Sequence, residues 1–240
     1  MAQPESVVDR DIPLDSEPRP LPRLEPGDHL TRQEFERRYD AMPELKKAEL
    51  IEGIVFMGSP VRLRHHGRPH GIVMAWLVIY EAETPGVIAG DNVSVRLDGD
   101  NMPQPDGVLM IDPARGGKAM VSSDDYIEGG PELVVEVAAS SASMDLNTKR
   151  EVYRRNNVRE YIVWRVLDRA IDWFVQREGS FQPLPLGPDG IHRSDVFPGL
   201  WLDPGALVDS DLSRVLEVLR QGIAGPAHAD FVARLNPKAP

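Results

Sequence analysis

The sequence predicts a mixed α/β domain in which a central mixed β-sheet is flanked by helices. Three observations predict it. Four strand candidates (86–89, 93–97, 107–111 and 133–138) lie together in the middle of the chain. Helical patterns precede and follow them, and a later strand pair, 161–166 and 170–176, is joined by Asp168-Arg169. Helices on either side of a block of strands, rather than in strict alternation with them, argue against a doubly wound nucleotide fold. At 240 residues the chain is long enough to bury a sizeable core.

Taken in order, residues 1–30 carry Pro4, Pro13, Pro18, Pro20, Pro22 and Pro26 among acidic residues and few large apolar ones. Such a composition buries too little surface to offset its ordering entropy, so a disordered acidic leader is expected. Thr31 with Glu34 forms a capping-box pattern, and Phe35 and Tyr39 then share one helical face until Pro43. The apolar residues around Glu52-Gly53 read as a hairpin with glycine at its turn. A helix over 66–83 is apolar around most of its circumference, as in a helix packed inside a domain, and Pro85-Gly86 stops it. Further helices are expected over 146–157 and 212–221. The folded domain is therefore expected over 31–222, with a flexible tail over 223–240.

Composition narrows the function. The absence of cysteine excludes disulfides, thiolate metal sites and cysteine nucleophiles, and fits a cytoplasmic protein. A net charge of −11 argues against a nonspecific nucleic-acid coat protein, though not against an enzyme with a local basic groove. The apolar run over 71–80 is far short of the roughly 20 residues that span a bilayer, and the acidic N-terminus does not resemble a signal peptide. No Gly-rich phosphate loop or Gly-x-Ser-x-Gly elbow is present.

Four residues stand out chemically. Glu136 interrupts the otherwise apolar 133–138 strand, where a carboxylate is costly unless a cation or donor compensates it. A structural salt bridge or a strand end reaching solvent would also accommodate it. Asp106 leads the 107–111 strand, a position shared by turn aspartates that cap their own backbone. Lys149 shares an inward stripe with Leu146, Val152 and Tyr153, where a lysine either serves a site or snorkels to solvent. Glu49 sits on the first strand of the hairpin, a place equally suited to a surface carboxylate. The run Lys149, Arg150, Arg154, Arg155 and Arg159 offers a phosphate-binding strip. His65, His66 and His70 could suggest a transition-metal site, but nearby residues complete no metal-binding spacing, and Pro69 disturbs the helical register.

Together these residues resemble the PD-(D/E)xK nuclease pattern and, more specifically, the Uma family of restriction-endonuclease-like proteins. The resemblance is carried by 49–53, the histidine-led helix near His70, 105–108, 133–137, Lys149 with Tyr153, 158–164 and 197–200. It implies a restriction-endonuclease-like fold and a metal-dependent endonuclease acting on DNA. It further implies Mg²⁺, or Mn²⁺, held by Asp106 and Glu136, with Glu49 and Lys149 completing the catalytic set. A homodimer is the default, because duplex cleavage needs two sites. The rival reading is an inactive nuclease-fold binding or regulatory module. Ala138 stands where an archetypal nuclease has its lysine, and the resemblance implies that Lys149 substitutes from the next helix. Ala138-Ala139-Ser140-Ser141 also departs from the family's more typical leucine-serine-proline-serine run.

Overall fold

The structure, a computed structural model, describes residues 21–58 and 60–236. Its elements run α1 (Arg32–Asp40), β1 (Ala48–Ile51), β2 (Ile54–Met57), α2 (Arg68–Ala82), β3 (Val87–Asp91), β4 (Val95–Arg96), β5 (Gly107–Ile111), β6 (Met120–Val121), β7 (Ile127–Glu128) and β8 (Leu133–Ala138). They continue with α3 (Ala142–Met144), α4 (Arg150–Arg155), β9 (Glu160–Arg165), β10 (Ala170–Arg177), β11 (Ser180–Pro183), β12 (His192–Arg193), β13 (Trp201–Leu202), α5 (Pro204–Val208), α6 (Leu212–Ile223) and α7 (Pro226–Leu235).

Six strands form the central sheet in the order β11-β10-β9-β8-β5-β3. The β8–β9 pair is parallel and the other four pairings are antiparallel, so the sheet is mixed. The alternation along β8 decides where its side chains go. Leu133, Val135 and Val137 enter a core shared with Trp76 and Leu77 of α2 and Val215 and Leu219 of α6. Val134 and Ala138 enter a second core with Tyr153, Tyr161 and Val163. Glu136 belongs to this second face by parity, which directs its carboxylate toward the segment 142–155.

The hairpin forms as the sequence predicts. Ile51 pairs with Ile54, leaving Glu52 and Gly53 as a two-residue turn with φ of 52° and 73°, the left-handed pair of a type I′ turn. Ala48 and Leu50 pack with Phe35 of α1 in a third apolar cluster, which turns Glu49 to the opposite face. Thr31 caps α1 by accepting from the Glu34 backbone N–H at 3.4 Å. The reciprocal half of the capping box is absent, because the Glu34 carboxylate pairs with Arg37 and Arg38 instead.

Glu160 opens β9 as a fully buried carboxylate. It accepts hydrogen bonds from Ser194 Oγ (2.7 Å), Asp195 N (2.7 Å) and Val196 N (3.1 Å), anchoring the turn that leads into Phe197.

Two boundaries differ from expectation. The expected leader over 1–30 falls on residues 1–20 outside the described residues, but 21–30, though largely exposed, are anchored to the domain at a few points. Leu24 is buried against Phe35 and Met42, and the Gly27 and Leu30 N–H groups bond to the hairpin carbonyls of Val55 and Gly53. Proline content had hidden one anchoring leucine. The expected tail over 223–240 is, over 226–235, the helix α7, whose Phe231 and Leu235 join the main core and whose His228 bonds to Thr84. Its apolar residues are sparse but lie on one face, and Pro226 starts a helix as readily as it ends one.

Candidate active site

Four segments from distant parts of the chain line one cavity of about 670 Å³. It is bounded by Lys47, Glu49, His66, Asp106, Glu136, Asp145 and Lys149, among others. The sheet sets the first relationship. Gly107 pairs with Val135 in the antiparallel β5–β8 ladder, and one further step along it sets Asp106 beside Glu136. The Val137 N–H donates to Asp106 Oδ2 at 2.7 Å and fixes the carboxylate there. Glycine at 107 lets the strand lie close to α2, since a Cβ at that position would come within 2.9 Å of Leu77.

The helical segment supplies the rest. Between α3 and α4 the chain makes a π-turn over Asp145–Lys149. Lys149 is buried as the inward stripe predicts, and its ammonium lies 3.0 Å from Glu136 Oε1 and 2.9 Å from Glu49 Oε1. One turn later, Tyr153 Oη donates to the same Glu136 oxygen at 2.8 Å. Glu49 also accepts from the Gln104 N–H at 2.8 Å, so the hairpin carboxylate is held in the site and is not a surface group.

Charge is unbalanced here. Glu49, Glu136 and Asp145 surround a single ammonium, with Asp145 Oδ1 at 3.8 Å from it. Burial pushes the Glu136 carboxyl up to about 8; Lys149 opposes the rise, while Asp145, Asp106 and Glu49 add to it. Burial also acts to lower the Lys149 ammonium, but the neighbouring carboxylates outweigh it and hold the pKa well above the usual lysine range. Burial raises Asp145 as well, and neither of its buried oxygens has a hydrogen-bond partner. At Asp106 burial works upward too, yet His66 and Lys47 overcome it and leave the carboxyl at about 2. Lys47 Nζ is 3.6 Å and His66 Nε2 3.3 Å from Asp106 Oδ1, an oxygen with no hydrogen bond of its own.

The structure thus gathers Glu49, Asp106, Glu136 and Lys149 around one cavity, and adds Lys47, His66, Asp145 and Tyr153. Tyr153 is visible in the lysine stripe. Lys47 and Asp145 carry no sequence signal, because only tertiary folding brings them in. The basic strip does not form as expected. Lys149 is buried, Arg154 pairs with Glu151, and Arg155 pairs with Glu52 and Asp98. Besides Lys149, the basic groups at the cavity are Lys47, Arg62, His65 and His66.

A family model described as "Putative restriction endonuclease", Uma2, matches residues 32–205. The chain belongs to the Uma2 family. That match takes in α1, the hairpin, all of the cavity residues named above and the strands through β13, and it supports a nuclease function in general terms. Among solved structures, a crystal structure described as a putative nuclease belonging to DUF820, from Anabaena variabilis, is similar with a TM-score of 0.51. Its sequence identity is 11%, covering 72% of this chain and 97% of that one. This likeness shows the restriction-endonuclease-like fold. No curated protein matches the chain. Among the described residues of this Uma2 member, no helix is long and apolar enough to cross a membrane.

Proposed function

We propose that the chain is a Mg²⁺-dependent endonuclease that hydrolyses DNA phosphodiester bonds, with Asp106 and Glu136 as metal ligands and Glu49 and Lys149 completing the catalytic set. The observation that supports it most is the Lys149 ammonium, held between Glu136 and Glu49 inside an open cavity that also contains Asp106. The donor set fits the ion. Carboxylate oxygens suit a hard divalent cation, Asp106 Oδ1 is buried without a hydrogen bond, and the excess negative charge favours an additional cation. Mn²⁺ accepts the same ligands.

When bound, Mg²⁺ supplies Lewis-acid activation of water and of the scissile phosphate. Glu136 and Asp106, neighbours across two strands, hold their carboxylates at fixed separation. The Tyr153 hydroxyl keeps Glu136 from rotating. Glu49 accepts from the Lys149 ammonium and holds it in place, so that it can meet negative charge developing on phosphorus without reorganising. Lys47 and Arg62 at the cavity give the approaching phosphodiester a cationic wall despite the acidic chain average. Two copies of the chain would serve the two strands of a duplex.

Incubation of supercoiled plasmid with the full chain in Mg²⁺, in Mn²⁺ and in EDTA tests the reading. Nicking or linearisation with either metal and none in EDTA is expected. No cleavage under any metal, with DNA binding retained, would replace the reading with a catalytically silent binding module.

A further inference from the structure

We propose that His66, His70 and Asp106 form a second metal site, selective for a borderline transition-metal ion such as Zn²⁺, at the edge of the same cavity. One ligand atom from each of the three residues lies within 4.8 Å of the other two. The two histidines are four residues apart, across the junction between the π-turn Leu63–Gly67 and the first turn of α2, and their ring centroids are 5.5 Å apart. Asp106 closes the triangle from the sheet. The sequence spacing looked incomplete because this third ligand comes from another element.

Two features favour an ion over a simple histidine cluster. His66 Nδ1 lies 3.1 Å from the Val137 carbonyl oxygen, which can only accept, so Nδ1 carries the proton. In the neutral ring that leaves the Nε2 lone pair aimed at Asp106 Oδ1, as in metal-ligating histidines whose other nitrogen bonds to a backbone carbonyl. The second feature is Asp106 Oδ1 itself, which belongs to a residue 3% exposed and has no hydrogen-bond partner. His66 Nε2 faces this oxygen at 3.3 Å, a contact that a metal ion ligated by both atoms would replace.

His70 Nε2 lies 2.9 Å from Asp91 Oδ1. The Asp91 side chain is 60% exposed and can turn into solvent when the imidazole is ligated. Two imidazole nitrogens and one carboxylate make a three-ligand set with an open position, as zinc takes in sites that keep an exchangeable ligand, and they are poor ligands for Mg²⁺. The site goes beyond the nuclease reading and shares only Asp106 with it.

Zn²⁺ titrated into the chelator-stripped full chain, followed by calorimetry and by the side-chain ¹⁵N resonances of its six histidines, tests the proposal. The expected result is perturbation of the His66 and His70 nitrogens, undiminished by excess Mg²⁺. Binding should weaken at least about 10-fold in His70→Gln, since loss of outer partners alone costs that much. Glu136→Gln, which removes a proposed Mg²⁺ ligand, should leave both readouts in place. The NMR measurement on the unaltered chain decides the matter even if His70→Gln folds poorly. Unmoved His66 and His70 resonances would overturn the site, as would displacement by Mg²⁺ or loss of the zinc signal in Glu136→Gln. Failure of plasmid cleavage with these zinc results intact would count against the nuclease reading alone.

Discussion

Lys149 and Glu136 form a contact of 3.0 Å between a helix turn and a central strand, and both side chains are almost wholly withdrawn from water. Neither group is tolerable there alone. Removing one partner of such a pair leaves an uncompensated buried charge, which typically costs about 3–5 kcal/mol.

Lys149→Met keeps much of the stem's volume and deletes the charge. The variant is expected to fold and to bind Mg²⁺, but to lose plasmid cleavage by at least about 10²-fold, the scale of a positioned charge. Adding Glu136→Gln should recover thermal stability without recovering cleavage. A single variant that cleaves like the parent chain would remove Lys149 from the catalytic set.

Asp106→Asn keeps the shape of the side chain and can still accept from the Val137 N–H, but halves the ligand charge at the proposed metal site. Calorimetric titration with Mg²⁺ or Mn²⁺ should show binding by the parent chain and none by the variant at matched concentrations. Identical isotherms would refute the assignment of Asp106 as a ligand.

Much of this constellation was legible in the chain. An acidic residue in an apolar six-residue strand, an aspartate leading the strand before it and a lysine on an inward stripe are local anomalies, and each lies at the cavity. What was not legible depends on partners far apart in sequence. Asp145 looks like an ordinary helix aspartate until the π-turn sets it beside Lys149. His66 gained its meaning only when Asp106 arrived from the sheet. At the chain ends composition misled, because one leucine at position 24 and one helical face in 226–235 suffice to pin segments that look polar on average.

Those two anchors can be measured. Leu24→Ala and Phe231→Ala each empty a buried position, and losses of about 3 kcal/mol are expected, or roughly 6–12 °C in melting temperature for a domain of this size. Scanning calorimetry that found both variants within about 1 °C of the parent would mean that neither segment contributes to the core.

Glu160 makes stability depend on pH away from the cavity. Burial raises its carboxyl to about 7, although Ser194 and two backbone N–H groups favour the ionised form. With a folded pKa above the unfolded one, the native state binds more protons between about pH 4.5 and 7. Its contribution is therefore fully present below that interval and is lost as pH rises through it, by at most on the order of 3 kcal/mol. Denaturant melts of Glu160→Gln in EDTA should show a flatter profile over this interval. An unchanged slope would show that the three donors already hold Glu160 ionised.

The π-turn at Asp145–Lys149 carries a consequence for insertions and deletions. A π-turn absorbs one residue more than α-helical winding, so the helix there has a surplus residue stored in its coil. Excising exposed Asn147 would let the turn rewind as α-helix while the segments on either side keep their present phase. Tyr153, clamped by the second core, and Lys149 would keep their hold on Glu136, and Asp145, then three residues before Lys149, would stay on the same helix face. The π-turn thus acts as a buffer that lets the chain change by one residue here without changing the cavity's charge. A homologue one residue shorter here, with a plain α-helix in place of the π-turn, would present the same charged groups to its substrate as long as it kept these residues.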